Sequence, residues 1–205
     1  MSVPDLPYRS LVWLTYRLGA TFALGLPLVL LVWASIRKEG VIARLMGIYW
    51  KVASLLVITL LLLTDQRPLG YVTAVLAPVL MTISVWFWVD LNEELADRPL
   101  RHPLVLTVRL WRWALSGFSL LATAVAVKSL SYVSALQGPD CKAWLEAPKG
   151  LHGVLAQVFD FFFGGDWNEA VAAFLGYVML VAYAVGLLQW LLMRLPRQGR
   201  VAGDF

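Results

Sequence analysis

One cysteine, two histidines and a low share of charge are what this 205-residue chain offers to most kinds of chemistry. A lone Cys141 forms no intrachain disulfide and builds no thiolate metal cluster. His102 and His152 belong to no His-Glu-x-x-His motif or Ser/His arrangement that would support hydrolysis. No helical Glu-x-x-His spacing marks a di-metal bundle. Charged residues make up 15% of the chain, where a soluble domain uses about 25% to keep its surface wet. The net charge is +4, yet no basic run or aromatic–basic platform accompanies it, so nucleic acid is not expected as a partner. There is no internal repeat and no low-complexity tract.

What fills the chain is apolar: 60% of residues are hydrophobic and the mean hydropathy is +0.72. Five stretches reach the ~20 residues that cross a bilayer, at about 18–36, 48–64, 69–89, 113–132 and 171–193. Pro27 and Pro78 fall inside two of them, which lipid-embedded helices tolerate when neighbours re-satisfy the freed carbonyls. Asp65-Gln66-Arg67-Pro68 is so short a connection that the second and third spans form an antiparallel hairpin. The first apolar run is span-length and no convincing small-x-small cleavage site precedes Arg37-Lys38, so it is expected to be retained. Between the fourth and fifth spans, a turn at Gly138-Pro139-Asp140 precedes a segment at 151–163 that is too short to cross. Its Leu151, Val154, Leu155, Val158, Phe159 and Phe162 recur at helical spacing opposite His152, Gln157 and Asp160, the pattern of a helix lying in the interface. A re-entrant half-helix broken at Gly164-Gly165 is the rival reading. The expected fold is therefore an all-α membrane protein. It is one polytopic domain over 1–205, with five transmembrane helices in a bundle and one interfacial amphipathic helix on the outer side.

Eleven of the 17 Lys and Arg residues fall on the side holding the 1–2 and 3–4 connections and the C-terminal tail. The rule that basic loops stay inside puts the N-terminus outside and the C-terminus in the cytoplasm. Trp33, Trp50, Trp86, Trp88, Trp111, Trp113 and Trp190 fall at the expected inner ends, and Trp13, Tyr71, Tyr132 and Trp167 near the outer ones, as interfacial anchors do.

Few constellations carry chemistry. If the third span continues as a helix into the cytoplasm, Asp90, Glu93/Glu94 and Asp97 line one acidic face following Trp86-Phe87-Trp88-Val89, with Asn92 a further contact candidate. Such a face docks a basic patch on a partner or holds a cation. Its plainer reading is a solvated helix end with i, i+4 pairs Glu94–Arg98 and Asp97–Arg101. Arg109, Trp111, Arg112 and Trp113 together suit an anionic lipid head or a pigment edge, or act as ordinary anchors. No Asp, Glu, His or Arg is expected near mid-span, and Lys128 can snorkel, which counts against pumps and ion-coupled transport. His102 and His152 lie outside the spans, where an axial pigment ligand is not expected. Ala172/Gly176, Ala182/Gly186 and Ala122/Ala126 are small-xxx-small pairs for close helix packing, inside the bundle or against a partner.

The strings Tyr49-Trp50-Lys51-Val52-Ala53-Ser54, Trp86-Phe87-Trp88-Val89-Asp90-Leu91-Asn92-Glu93-Glu94 and Cys141-Lys142-Ala143-Trp144-Leu145-Glu146 resemble a family of cyanobacterial integral membrane proteins of similar length and uncharacterised function. The resemblance covers nearly the whole chain. It implies a thylakoid or plasma membrane in an oxygenic phototroph and supplies no catalytic residues. The leading expectation is a non-catalytic accessory, assembly or scaffold subunit of a larger membrane complex, with membrane lipid and other integral membrane proteins as partners. No cofactor is required, although a bound pigment or lipid is compatible with the pattern. The alternatives are a small transporter for a neutral or hydrophobic solute and a lipid- or pigment-modifying enzyme using the Asp90–Asp97 carboxylates.

Overall fold

The computed structural model describes residues 6–99, 102–133, 139–164 and 167–202. The protein is an all-α, multi-pass membrane protein. Five helices are long and apolar enough to cross a bilayer, and the described residues contain no strand.

The first crossing is continuous from α1 (Leu6–Leu18) through a π-helical stretch (Gly19–Gly25) into α2 (Leu26–Arg37). It starts well before the expected residue 18, because the polar side chains of α1 find partners in protein rather than water. Tyr16 donates to the Trp144 carbonyl at 2.7 Å, and Arg9 and Trp13 both reach Glu146. A two-residue turn follows, with Lys38 in the left-handed region and the Glu39 N–H returning to Ala34 O. The second crossing, α3 (Gly40–Thr64), therefore begins eight residues ahead of the expected 48 and carries Arg44 and Lys51 on its own turns.

The hairpin between α3 and α4 (Pro68–Trp86) is as tight as its sequence requires. Gln66 takes φ 56°, the Arg67 N–H bonds Leu62 O, and Arg67 pairs with Asp65 at 2.7 Å. Proline at the first turn of α4 suits a position with no helical acceptor for its missing N–H. A side chain at Gly70 would strike Leu63 at 2.9 Å, so glycine is what lets the two helices close directly after the turn.

The third crossing does not run on into the cytoplasmic helix expected of it. Its helix ends at Trp86, Trp88 adopts an extended ψ of 113°, and a separate short helix α5 (Val89–Ala96) follows. Neither glycine nor proline sits at this break. Trp88 is buried instead, and Leu91 and Leu95 of α5 pack among Val41, Leu45, Leu104 and Val108. Tertiary burial overrides helix propensity here.

The fourth crossing, α6 (Pro103–Val127), starts ten residues before the expected 113 and continues as a 3₁₀ stretch (Lys128–Val133). The segment expected as a separate helix at 151–163 is the second half of α7 (Pro139–Phe163). Its first half is tied to the bundle: Ala143, Trp144 and Leu145 are buried with Tyr8, Val12, Tyr71 and Ala126. Leu151 and Val154 are exposed, while the side chains of Leu155, Val158, Phe159 and Phe162 lie outside the described residues, as does Gly165.

The fifth crossing is α8 (Glu169–Gln189), started by Asn168, whose side chain accepts the Val171 N–H at 2.9 Å. A second π-helical stretch (Trp190–Arg194) and α9 (Leu195–Gln198) complete it. The bundle thus has two ends. One carries α7 and the α3–α4 hairpin; the other carries α5 and the C-terminal tail.

Candidate functional site

The polar chemistry of the molecule concentrates at the α4–α5 break. A helix end leaves backbone carbonyls without partners, and its dipole favours positive charge there. Both needs are met by side chains from distant segments. The Arg112 guanidinium of α6 donates to Val85 O and to the Asn92 side-chain oxygen, and lies 4.0 Å over the Trp86 ring. Asn92 in turn donates its amide to Trp86 O at 2.9 Å. Arg200 of the tail donates to Phe87 O at 2.8 Å, and its carbonyl accepts the Val89 N–H. Asp90 accepts the Ala202 N–H with both oxygens at 3.0 Å, drawing Ala202 into the core. Arg109 closes the far end of α5, donating to Leu95 O at 2.7 Å and Ala96 O at 3.0 Å.

This arrangement changes the reading of nearly every candidate residue. The acidic face is turned inward in part: Asp90 and Asn92 serve the break, and Glu94 pairs with Arg44 of α3 at 3.2 Å rather than with Arg98. Arg98 instead meets Glu39 at 3.6 Å, with the His102 ring 3.8 Å from the same carboxylate. The expected Asp97–Arg101 pair lies outside the described residues; Glu93 and Asp97 are exposed. Arg112 is only 4% exposed and sits in the third turn of α6, inside the helix rather than in the connection expected before residue 113. The helix starts at Pro103, and carbonyls freed by the break solvate the guanidinium in place of water. Of the expected anchors, Trp113 is 70% exposed and stacks edge-on with Trp86, whereas Trp111, Trp88 and Tyr71 are buried. No group of three or more metal-binding side chains occurs among the described residues.

Trp111 has a different duty. Pro27 lacks the N–H that would bond Ala23 O, and the π-helical geometry sends the Leu26 N–H back to Thr21 O rather than Phe22 O. Side chains supply donors to both Phe22 O and Ala23 O. Tyr49 donates to Ala23 O at 2.7 Å and Trp111 to Phe22 O at 2.8 Å, their rings meeting edge-on at 5.0 Å. The proline was a visible warning that donors were needed; which residues supply them depends on the packing of α3 and α6 on the first crossing.

Beside the break lies a groove of about 900 Å³ between α3, α4 and the fifth crossing. It exists because α8 packs on α3 only over its first half. A Cβ on Gly176 would come within 3.1 Å of Leu62, whereas one on Gly186 would meet nothing within 4 Å. Trp190 then returns to the bundle, 5.8 Å from both Phe87 and Trp88. Leu80, Ile83, Val52 and Leu187 wall the groove, and Lys51, Arg194 and Arg197 rim it. Sequence reasoning missed this feature, since it depends on where α8 leaves the bundle.

A family described as "Protein of unknown function (DUF3177)" matches residues 9–203 of the chain. Neither a curated protein nor a solved structure matches it.

Proposed function

The chain belongs to the DUF3177 family of proteins of unknown function, and from that premise we propose that it is a non-catalytic accessory, assembly or scaffold subunit of a larger membrane complex. The observation that carries this reading is the engagement of the charged groups at the α4–α5 break. Arg109, Arg112, Asp90, Asn92 and Arg200 are each bonded to backbone or to one another, so they hold a platform at one membrane face rather than converge on a reacting atom. Glu93 and Asp97 remain exposed on that platform as contacts for a basic partner. The orientation proposed is N-terminus outside and C-terminus cytoplasmic, with residues 151–163 of α7 at the outer interface, in the thylakoid or plasma membrane of a phototroph.

Gentle solubilisation from native membranes followed by native electrophoresis tests the assignment. A band well above the 22.9 kDa chain, containing identifiable integral membrane proteins, is the expected result. Migration solely as a free monomer overturns it. The apolar groove favours a second reading, permeation of a hydrophobic solute, which solute flux into reconstituted vesicles would separate from the first.

A further inference from the structure

We infer that the second half of the fifth crossing is a strap that closes on α3 and α4, and that the groove beside it is the strap's open form. The inference rests on neither functional reading above, since it concerns how one helix packs within this chain.

The contact between α8 and α3 is begun and not finished. Ala172, Ala173 and Gly176 are buried, and a Cβ on Gly176 would lie 3.1 Å from Leu62 and 3.2 Å from Leu61. Further along, Tyr183, Gly186, Leu187 and Trp190 recur at helical spacing and all line the groove. A Cβ on Gly186 would nevertheless meet nothing within 4 Å, so the helix has left its partner there. It regains the bundle at Trp190, 5.8 Å from Phe87 and Trp88, and through the tail, where Arg200 donates to Phe87 O at 2.8 Å. The segment is thus held at both ends and bowed between them. Because α3 and α8 run antiparallel, ten residues on from the Gly176–Leu62 contact Gly186 stands level with Val52 across the groove.

The backbone supplies a place to flex. The Trp190 N–H is shared between Gly186 O and Leu187 O, and the Leu195 N–H then reaches five residues back to Trp190 O. Such a change of hydrogen-bond register is where helices bend. Lipid supplies the balance. Acyl chains are as apolar as the groove's walls, so filling the groove with lipid and closing it differ chiefly in packing. Glycine at 186 keeps the closed form accessible, because it lets the strap's backbone approach α3 as Gly176 already does.

Disulfide trapping of the full chain in lipid nanodiscs provides the test, in a Cys141→Ala background with copper phenanthroline passing the thiol electrons to dioxygen. In the open form a Cβ at 186 has no neighbour within 4 Å, whereas bonded cysteines hold their Cβ atoms about 3.8 Å apart. Gly186→Cys with Val52→Cys should therefore bond only through closure. The contact pair Gly176→Cys with Leu61→Cys sets the reference rate. The bond across the groove should form roughly 10- to 1,000-fold more slowly, as a closed form populated at about 0.1–10% dictates. Gly186→Cys with Ile48→Cys, one turn away on α3, should give a much lower yield. If the Val52→Cys chain does not fold, Gly186→Cys with Leu80→Cys, on the α4 wall, takes its place. Absence of the bond, or its formation as fast as in the contact pair, overturns the proposal. Equal yields with Val52→Cys and Ile48→Cys would mark loose fraying, and a bond solely between two chains would mark a partner's surface; either overturns it as well.

Discussion

Arg112 carries a full charge at 4% exposure, with no carboxylate paired to it among the described residues. Its solvation comes from Val85 O, the Asn92 oxygen and the Trp86 ring face, and so it couples the break to α6. Arg112→Ala should lower stability by about 3 kcal/mol, because it leaves a buried carbonyl and a buried amide oxygen without donors. Arg112→Lys should recover less than half of that, as one ammonium does not span both acceptors; thermal unfolding in detergent reads both. The Pro27 carbonyls make a finer case. Tyr49→Phe should cost about 1–2 kcal/mol by removing the donor to Ala23 O. In a Pro27→Ala background, residue 27 regains an N–H that can bond Ala23 O, so the same change should cost less than half as much. A double-mutant cycle that came out additive would show that the phenol is not there to replace the missing amide.

Helices differ in how much of them the sequence displays. The five crossings were legible because runs such as 48–64 and 171–193 are apolar on every side, which only lipid accommodates. The α3–α4 hairpin was legible from Asp65-Gln66-Arg67-Pro68, where length leaves no other geometry. The early starts of α1, α3 and α6 were not, since charged turns such as Arg9, Arg44 and Arg109 look like loops until their protein partners are known. The break at Trp88 carried no local signal at all, being set by the burial of Trp88, Leu91 and Leu95 in the core. Small-xxx-small spacing was likewise ambiguous: Ala172 and Gly176 pack on α3, while Gly186, equally spaced from Ala182, faces the groove. Gly176→Val should therefore cost about 1–3 kcal/mol and loosen α8 from α3, whereas Gly186→Ala should stay within about 0.5 kcal/mol. The tail gives a second test at this scale. Removing residues 199–205 takes away the acceptor for the Val89 N–H and the donor to Phe87 O. Hydrogen exchange at Val89 should then rise roughly tenfold, with the first half of α8 unaffected.

For the molecule as a whole, insertion precedes packing, so the unpaired chain and its basic residues decide which way the bundle faces. The turn between the first two crossings is only Lys38-Glu39, which means those two helices enter the bilayer as one hairpin with Arg37, Lys38 and Arg44 at its tip. Arg9 and Arg17 lie on the opposite flank, and Arg17 is exposed three turns inside the first helix, where it must reach back to its own surface. In the orientation proposed above the tip faces inward, in keeping with three cations at the tip against two on the flank and with the basic residues of the later connections and tail. Reporters fused to the two termini should then fall on opposite sides, the N-terminal one outside. Replacing Arg37, Lys38 and Arg44 together by Gln reverses the local balance. It should turn a measurable fraction of N-terminal reporters inward, while Arg9→Gln with Arg17→Gln should leave the distribution unchanged or sharper. Protease protection of the reporters in sealed vesicles distinguishes these outcomes, and an N-terminal reporter found inside in the unaltered protein would refute the orientation.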